Sequence, residues 1–177
     1  MQLVATEIPD LFVVESEPCR DERGYFHSLF DAATFEASRV SFTPRQSGLS
    51  HNTKARTLRG MHFQSGRSAQ SKLVRCVRGS AFDVVIDLRS GSPAYCKWFS
   101  IELSASNHRA LFVPAEFAHG FLTLEDDTDI LYELSNPEDS SEATGVRWND
   151  PKFSIAWPAA PLVLNERDAN YPDFRSK

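Results

Sequence analysis

Arg59, His62 and Gln64 sit together in the stretch Thr57-Leu58-Arg59-Gly60-Met61-His62-Phe63-Gln64, and Gln70, Lys72 and Arg75 follow closely. Histidine is the side chain whose ordinary proton affinity lies nearest neutrality, so it is the natural general base. Cations beside it can hold an anionic ligand, or the charge that develops on an enolate oxygen. The combination suits removal of a proton next to a carbonyl. Strict strand alternation would put Arg59, Met61 and Phe63 on one face, and Leu58, Gly60, His62 and Gln64 on the other. A half-exposed strand with ordinary polar residues would look much the same, so the rest of the chain has to decide.

Four other places carry reactive side chains. Pro114-Ala115-Glu116-Phe117-Ala118-His119-Gly120-Phe121 sets His119 in a glycine-bounded turn. Tyr132 lies between Leu131 and Leu134, Leu164-Asn165-Glu166-Arg167-Asp168 offers a late carboxylate, and Arg23-Gly24-Tyr25-Phe26 places an arginine beside aromatics. Each has a plain structural use: a turn histidine, a barrel tyrosine with a bonded hydroxyl, a helix cap, a surface charge.

The elements that must position these residues are mostly strands. Leu11–Val14 is a short apolar run, and Asp21-Glu22-Arg23-Gly24 reads as a turn before an aromatic-rich segment. Asp31 to Ser38 is the best helix, with Asp31 as N-cap and Phe35 as apolar anchor. Residues 41–56 read as a polar loop around Pro44, Gly48 and Asn52. Strands are expected at 72–78, 82–88, 97–103, 110–113, 120–124 and 129–134, the last two pairing across the acidic turn Glu125-Asp126-Asp127. Short strands at this spacing argue for an all-β sandwich or barrel. Residues 135–144 suit a surface loop. The tail from Asn149 is expected to wrap the barrel with one or two short helical turns.

The 177 residues, 41% hydrophobic and 24% charged, suit one soluble domain with a real core. A formal net charge of −5 argues against a broad nucleic-acid surface. Apolar runs fall short of the roughly 20 residues that span a bilayer, so no membrane partner is expected. The first residues show no secretory pattern, and Cys19, Cys76 and Cys96 fit free thiols in a reducing cytoplasm.

Taken together, the chain resembles the RmlC-like dTDP-4-dehydrorhamnose 3,5-epimerase family of the cupin superfamily. The matching residues are Asp21–Phe26, Leu58–Gln64, Lys72–Gly79, Phe82–Arg89, Phe117–Phe121, Leu131-Tyr132, Gly145–Pro151, Ile155–Pro158 and Leu164–Asp168. They run in order over nearly the whole chain, and the Arg-Gly-Met-His-Phe-Gln and Phe-Ala-His-Gly-Phe pair is highly specific. The resemblance implies an all-β, cupin-type jelly-roll barrel with a few short peripheral helices. It implies one domain over residues 1–177, in a homodimer whose N-terminal strand is exchanged with the partner. It further implies epimerisation at C3 and C5 of a nucleotide-linked 4-keto-6-deoxyhexose, with no cofactor and no metal. The sequence agrees on metal: it has no His-x-His pair, and His62 and His119 lie far apart with no adjoining carboxylate motif.

Carried over residue by residue, the resemblance makes His62 the base, Asp168 its ring partner, Lys72 the cation at the enolate oxygen and Tyr132 the acid on the opposite face. Arg59, His119 and Arg167 would hold sugar and pyrophosphate. Arg23 and Phe26 would grip the nucleotide of the neighbouring subunit's ligand. Ser28, Gly48 and Ala143 stand where the family usually has Glu, Asn and Glu, and Pro137 and Glu138 replace aromatics. Gln46, close to Gly48, offers a replacement contact. These departures leave the exact nucleotide and sugar open. A single-centre epimerase, an enzyme for another nucleotide-4-ketosugar, and a non-catalytic sugar-binding cupin remain the alternatives.

Overall fold

The computed structural model describes residues 1–137 and 143–175. Along them run β1 (Gln2–Ala5), β2 (Phe12–Glu15), β3 (Cys19–Asp21), β4 (Gly24–Phe26), α1 (Ala32–Ala37), β5 (Gln46–Asn52), β6 (Leu58–Phe63), β7 (Lys72–Arg78), β8 (Ser80–Asp87), β9 (Trp98–Ser104), β10 (Ala110–Val113), β11 (Phe117–Thr123), β12 (Thr128–Leu134), β13 (Thr144–Gly145) and α2 (Glu166–Ala169). Of the expected surface loop at 135–144, residues 138–142 lie outside the described residues, Glu138 among them. So do the last two residues of the tail.

Two antiparallel sheets face each other, in the orders β1-β2-β10-β7-β12-β5 and β13-β6-β11-β8-β9. This is a jelly roll, and among the described residues it is all-β apart from α1, α2 and one 3-10 turn at Gly66–Ser68. Alternation along the strands sorts side chains into three layers. Between the sheets lie Leu11, Val74, Val85, Leu111, Phe117, Phe121 and Ile130. Outside the six-stranded sheet, α1 brings Phe35 against Val14, Phe42, Leu73 and Phe112. Outside the five-stranded sheet, the C-terminal tail lays Phe153, Ile155, Trp157 and Phe174 over Met61, Val84, Ile86 and Ala118. Phe35 is 1% exposed, and burying one such ring stabilises by about 1.5–3 kcal/mol. The helix starts where expected, because the Asp31 carboxylate accepts from the Thr34 amide at 2.7 Å.

The structure places His119 within β11 and not in a glycine-bounded turn, and it corrects two readings of how the strands pair. The first is the polar loop: Gln46–Asn52 is an edge strand, paired along its whole length with β12. Its composition, with Leu49 its only large apolar residue, hides it from propensity. Ladder bonds and cross-strand pairs such as His51 with Asp129, 2.6 Å apart, hold it instead. The second is the pairing across Glu125-Asp126-Asp127. β11 pairs with β6 and β8, whereas β12 pairs with β5 and β7. The acidic turn therefore passes from one sheet to the other.

Candidate active site

One end of the space between the sheets is not filled by apolar side chains. It is a cavity of about 300 Å³, lined among others by Gln46, Gly48, Arg59, His62, Lys72, His119, Tyr132, Ala143 and Arg167. That is the lower end of the size range for small-molecule sites. β6 and β11 supply one wall, and β5, β7 and β12 the other.

His62 and His119 are direct cross-strand partners on β6 and β11. Beyond them the register slips, and Arg59 pairs with Phe121. This bulge overturns the simple alternation read from sequence. Arg59 and His62 both line the cavity, and Met61 turns outward into the core under the tail. Glycine makes the slip possible. Gly60 has φ +126°, and a Cβ there would stand 2.5 Å from the Gly120 Cα. A Cβ on Gly120 would stand 2.7 Å from the Arg59 carbonyl oxygen. Neither position accepts a side chain without moving the two strands apart.

Behind His62 lies Asp168, from α2. Its Oδ1 is 2.8 Å from His62 Nε2, and its Oδ2 accepts from the Gly60 amide at 2.9 Å. The Asp168 side chain is 0% exposed, and that of His62 is 31% exposed. Burial alone would push the carboxyl up. The hydrogen bonds from His62 and Gly60, with the charges of His62 and Arg167, outweigh it and hold Asp168 below the ordinary carboxylate range. The Asn165 side chain caps α2 by accepting from the Asp168 amide at 2.7 Å, which fixes the start of the short helix. Arg167 brings Nη2 to 3.5 Å from His62 Nε2 and Nε to 3.5 Å from Asp168 Oδ1.

A second histidine–aspartate pair was not read from sequence. His119 Nε2 lies 2.9 Å from Asp83 Oδ2 and 3.0 Å from Oδ1, with side chains 3% and 0% exposed. The signal was there: Asp83 interrupts the apolar run Phe82–Leu88, and a buried carboxylate needs a partner. The His119 and Tyr132 rings meet edge-on at 5.9 Å. Arg59 is aimed by Asn52, whose side-chain carbonyl accepts from Nε at 2.8 Å. At the mouth, Gln70 donates to Gln64 at 2.7 Å, both nearly buried. The sequence gives no sign that Asn52 would aim Arg59 or that the two glutamines would pair.

The fold thus gathers His62, Tyr132, Asp168, Lys72, Gln46, Arg59, His119 and Arg167 at one place. It does not bring Arg23, Phe26 or Ser28 there within one chain. These lie in the turn, on the second strand and just after a separate two-stranded sheet, β3–β4, which among the described residues pairs only with itself. The Arg23 side chain is 85% exposed and Phe26 is 75% exposed. Arg23 pairs with Asp21 of its own hairpin. Of the three departures from the family pattern, Gly48 and Ala143 line the cavity and Ser28 does not. A Cβ at Gly48 would meet nothing within 4 Å, so the cavity is open beside it.

Among the described residues, no three His, Cys, Asp or Glu side chains are grouped to hold a metal ion, and no helix is long and apolar enough to cross a membrane. Chemically, the cavity offers an imidazole backed by a buried carboxylate, a lysine, a phenol and two arginines. That set can take a proton from carbon, hold an oxyanion, and supply a proton from another direction.

Residues 5–176 match the family model described as dTDP-4-dehydrorhamnose 3,5-epimerase. The dTDP-4-dehydrorhamnose 3,5-epimerase of Shigella flexneri is 40% identical over 177 residues, covering 98% of this chain and 96% of that relative. The crystal structure of the Bacillus anthracis dTDP-4-dehydrorhamnose 3,5-epimerase with TDP and PPi bound superposes with a TM-score of 0.94 at 35% identity, covering 98% of this chain and 99% of the other. The Legionella pneumophila dTDP-6-deoxy-D-glucose-3,5-epimerase, in complex with dTDP-4-keto-L-rhamnose, has a TM-score of 0.89 at 32% identity, with 95% and 89% covered.

Proposed function

The chain belongs to the dTDP-4-dehydrorhamnose 3,5-epimerase family, and we propose that it inverts C3 and C5 of a dTDP-linked 4-keto-6-deoxyhexose through an enolate, without a cofactor. One observation carries the reading: His62 faces the cavity with Asp168 fixed at 2.8 Å behind it.

Carbons C3 and C5 flank the C4 ketone, which acidifies their protons. His62 takes the proton through Nδ1, since Nε2 is engaged by Asp168. The C–H electron pair moves into the enolate, and the negative charge on O4 is held by Lys72. Tyr132, on the wall opposite His62, gives a proton to the other face of the carbon, and the configuration inverts. Solvent resets both groups. Asp168, ionised and buried, fixes the imidazole tautomer and stabilises the imidazolium. The His119–Asp83 pair and Arg59 hold the sugar, and Arg167 and Arg59 the pyrophosphate, where a planar guanidinium can bond bidentately.

Arg23, Phe26 and Ser28 belong, in this reading, to the nucleotide end of a partner's site. The protein would be a homodimer with the N-terminal segment crossing over, and the exposure of Phe26 and Arg23 on a hairpin that joins neither large sheet supports this. Three free cysteines suit a cytoplasmic enzyme.

The test is NMR in D2O with dTDP-4-keto-6-deoxyglucose. Deuterium should enter at C3 and C5 with inversion at both, and His62→Ala should slow both exchanges by about a hundredfold or more. Inversion confined to one carbon would make the protein a single-centre epimerase. Binding without exchange would make it a sugar-binding cupin. A monomer by light scattering at micromolar concentration with full activity would remove the partner's part in the site.

A further inference from the structure

Tyr171 stands just beyond α2 and takes no part in the chemistry above. Its ring meets the His62 imidazole edge-on, with centroids 6.1 Å apart and planes at 71°. On β13, Gly145 is the cross-strand partner of His62. A Cβ on Gly145 would lie 2.5 Å from Tyr171 Cε2 and 2.6 Å from Cζ. Gly145 has no positive φ; its missing side chain leaves room both for the Met61 carbonyl oxygen, 2.5 Å from where a Cβ would stand, and for the tyrosine ring. The ring therefore lies over the backbone that pairs with His62, against the imidazole edge.

The hydroxyl tells less. It is buried. Burial pushes its proton affinity up, and the nearby Arg167 guanidinium pulls the other way. The hydroxyl thus has the Arg167 side chain as its neighbour, and the ring is what meets His62.

We propose that Tyr171 is a positioning residue for His62: its ring, seated over Gly145, fixes the imidazole rotation that points Nε2 at Asp168 and keeps water off the pair. Asp168 is fully buried whereas His62 is partly open to the cavity, so the flank that Tyr171 covers is one through which water could compete for Nε2–H. This rests on the reading of His62 as the base.

The experiment compares Tyr171→Phe, Tyr171→Ala and Gly145→Ala with His62→Asn, following C–H exchange in D2O and the unfolding temperature of each full-length variant. The phenylalanine variant keeps the ring, so kcat should stay within about twofold of wild type. Tyr171→Ala should lower kcat about tenfold or more while KM moves less than about threefold, because a small misplacement of a reacting group is enough to cost that much. Gly145→Ala crowds the Met61 carbonyl as well as the ring, so it serves as a second readout, and kcat should fall in the same way wherever its unfolding temperature stays near that of wild type. Unchanged kcat in both alanine variants, or equal losses in the phenylalanine and alanine variants at Tyr171, would overturn the proposal. If His62→Asn itself keeps wild-type exchange, the base assignment fails first, and the role of Tyr171 falls with it.

Discussion

Replacing Asp168 by asparagine keeps the shape of the side chain and removes its charge. The wild-type carboxylate accepts twice, from His62 Nε2 at 2.8 Å and from the Gly60 amide at 2.9 Å. Asparagine has one acceptor and one NH2. The Gly60 amide can only donate, so the asparagine carbonyl must turn to it, and the NH2 then faces His62. Nε2 must become an acceptor, which moves the ring proton to Nδ1. The nitrogen offered to the substrate is then a donor and no longer a base. The expected loss in proton abstraction is about 10²- to 10⁴-fold, the range for a misdirected histidine base. KM should change little, because the cavity lining is intact. The fold should survive with a loss of about 1–3 kcal/mol, since only one charge-assisted hydrogen bond goes. Exchange of C3 and C5 protons in D2O, followed by NMR, reads the first quantity, and urea unfolding reads the second. Exchange within about threefold of wild type at either carbon would refute the argument, and Asp168 would then merely anchor the tail to Gly60.

Tyr132→Phe should separate abstraction from inversion: deuterium should wash in with retained configuration, most clearly at C5, and equal loss of exchange and inversion at both carbons would place Tyr132 in binding instead. The acid limb of stability should involve Asp168, whose carboxyl is held low in the folded protein. A depressed folded value stabilises above the unfolded value of about 4 and is lost as pH falls through the folded value. The stability gap between wild type and Asp168→Asn in urea should therefore be constant above about pH 5 and shrink below pH 4, and a gap that widens with acid would contradict this. Cys76 is buried, and its thiol is pushed up to about 11, chiefly by desolvation. It should resist alkylation at pH 8 until the protein unfolds, unlike exposed Cys19; rapid labelling of native Cys76 would show that the inner layer opens.

Much of this protein is legible in its sequence because the signals are local. Short alternating apolar runs give strands, Asp31 before Ala-Ala-Thr-Phe gives a capped helix, and the spacing of Arg59, His62, Lys72, His119, Tyr132 and Asp168 carries the family resemblance. The tertiary structure decided what depends on a distant partner. Gln46–Asn52 has little apolar pattern of its own, and becomes a strand only because β12 offers it a ladder. Arg59 and His62 reach the same face only because Gly60 and Gly120 let two strands approach and slip. Asp83 reads as an odd polar residue in an apolar strand until His119 is placed against it. Arg23, Phe26 and Ser28 go the other way: the resemblance assigns them to a binding site, yet their hairpin pairs with itself and leaves them outside the cavity of their own chain. Periodicity marks most of the elements, because it follows from backbone geometry alone. Register, bulges and buried charge pairs follow from the energy of contacts between segments far apart in the chain, and a local pattern does not contain that energy.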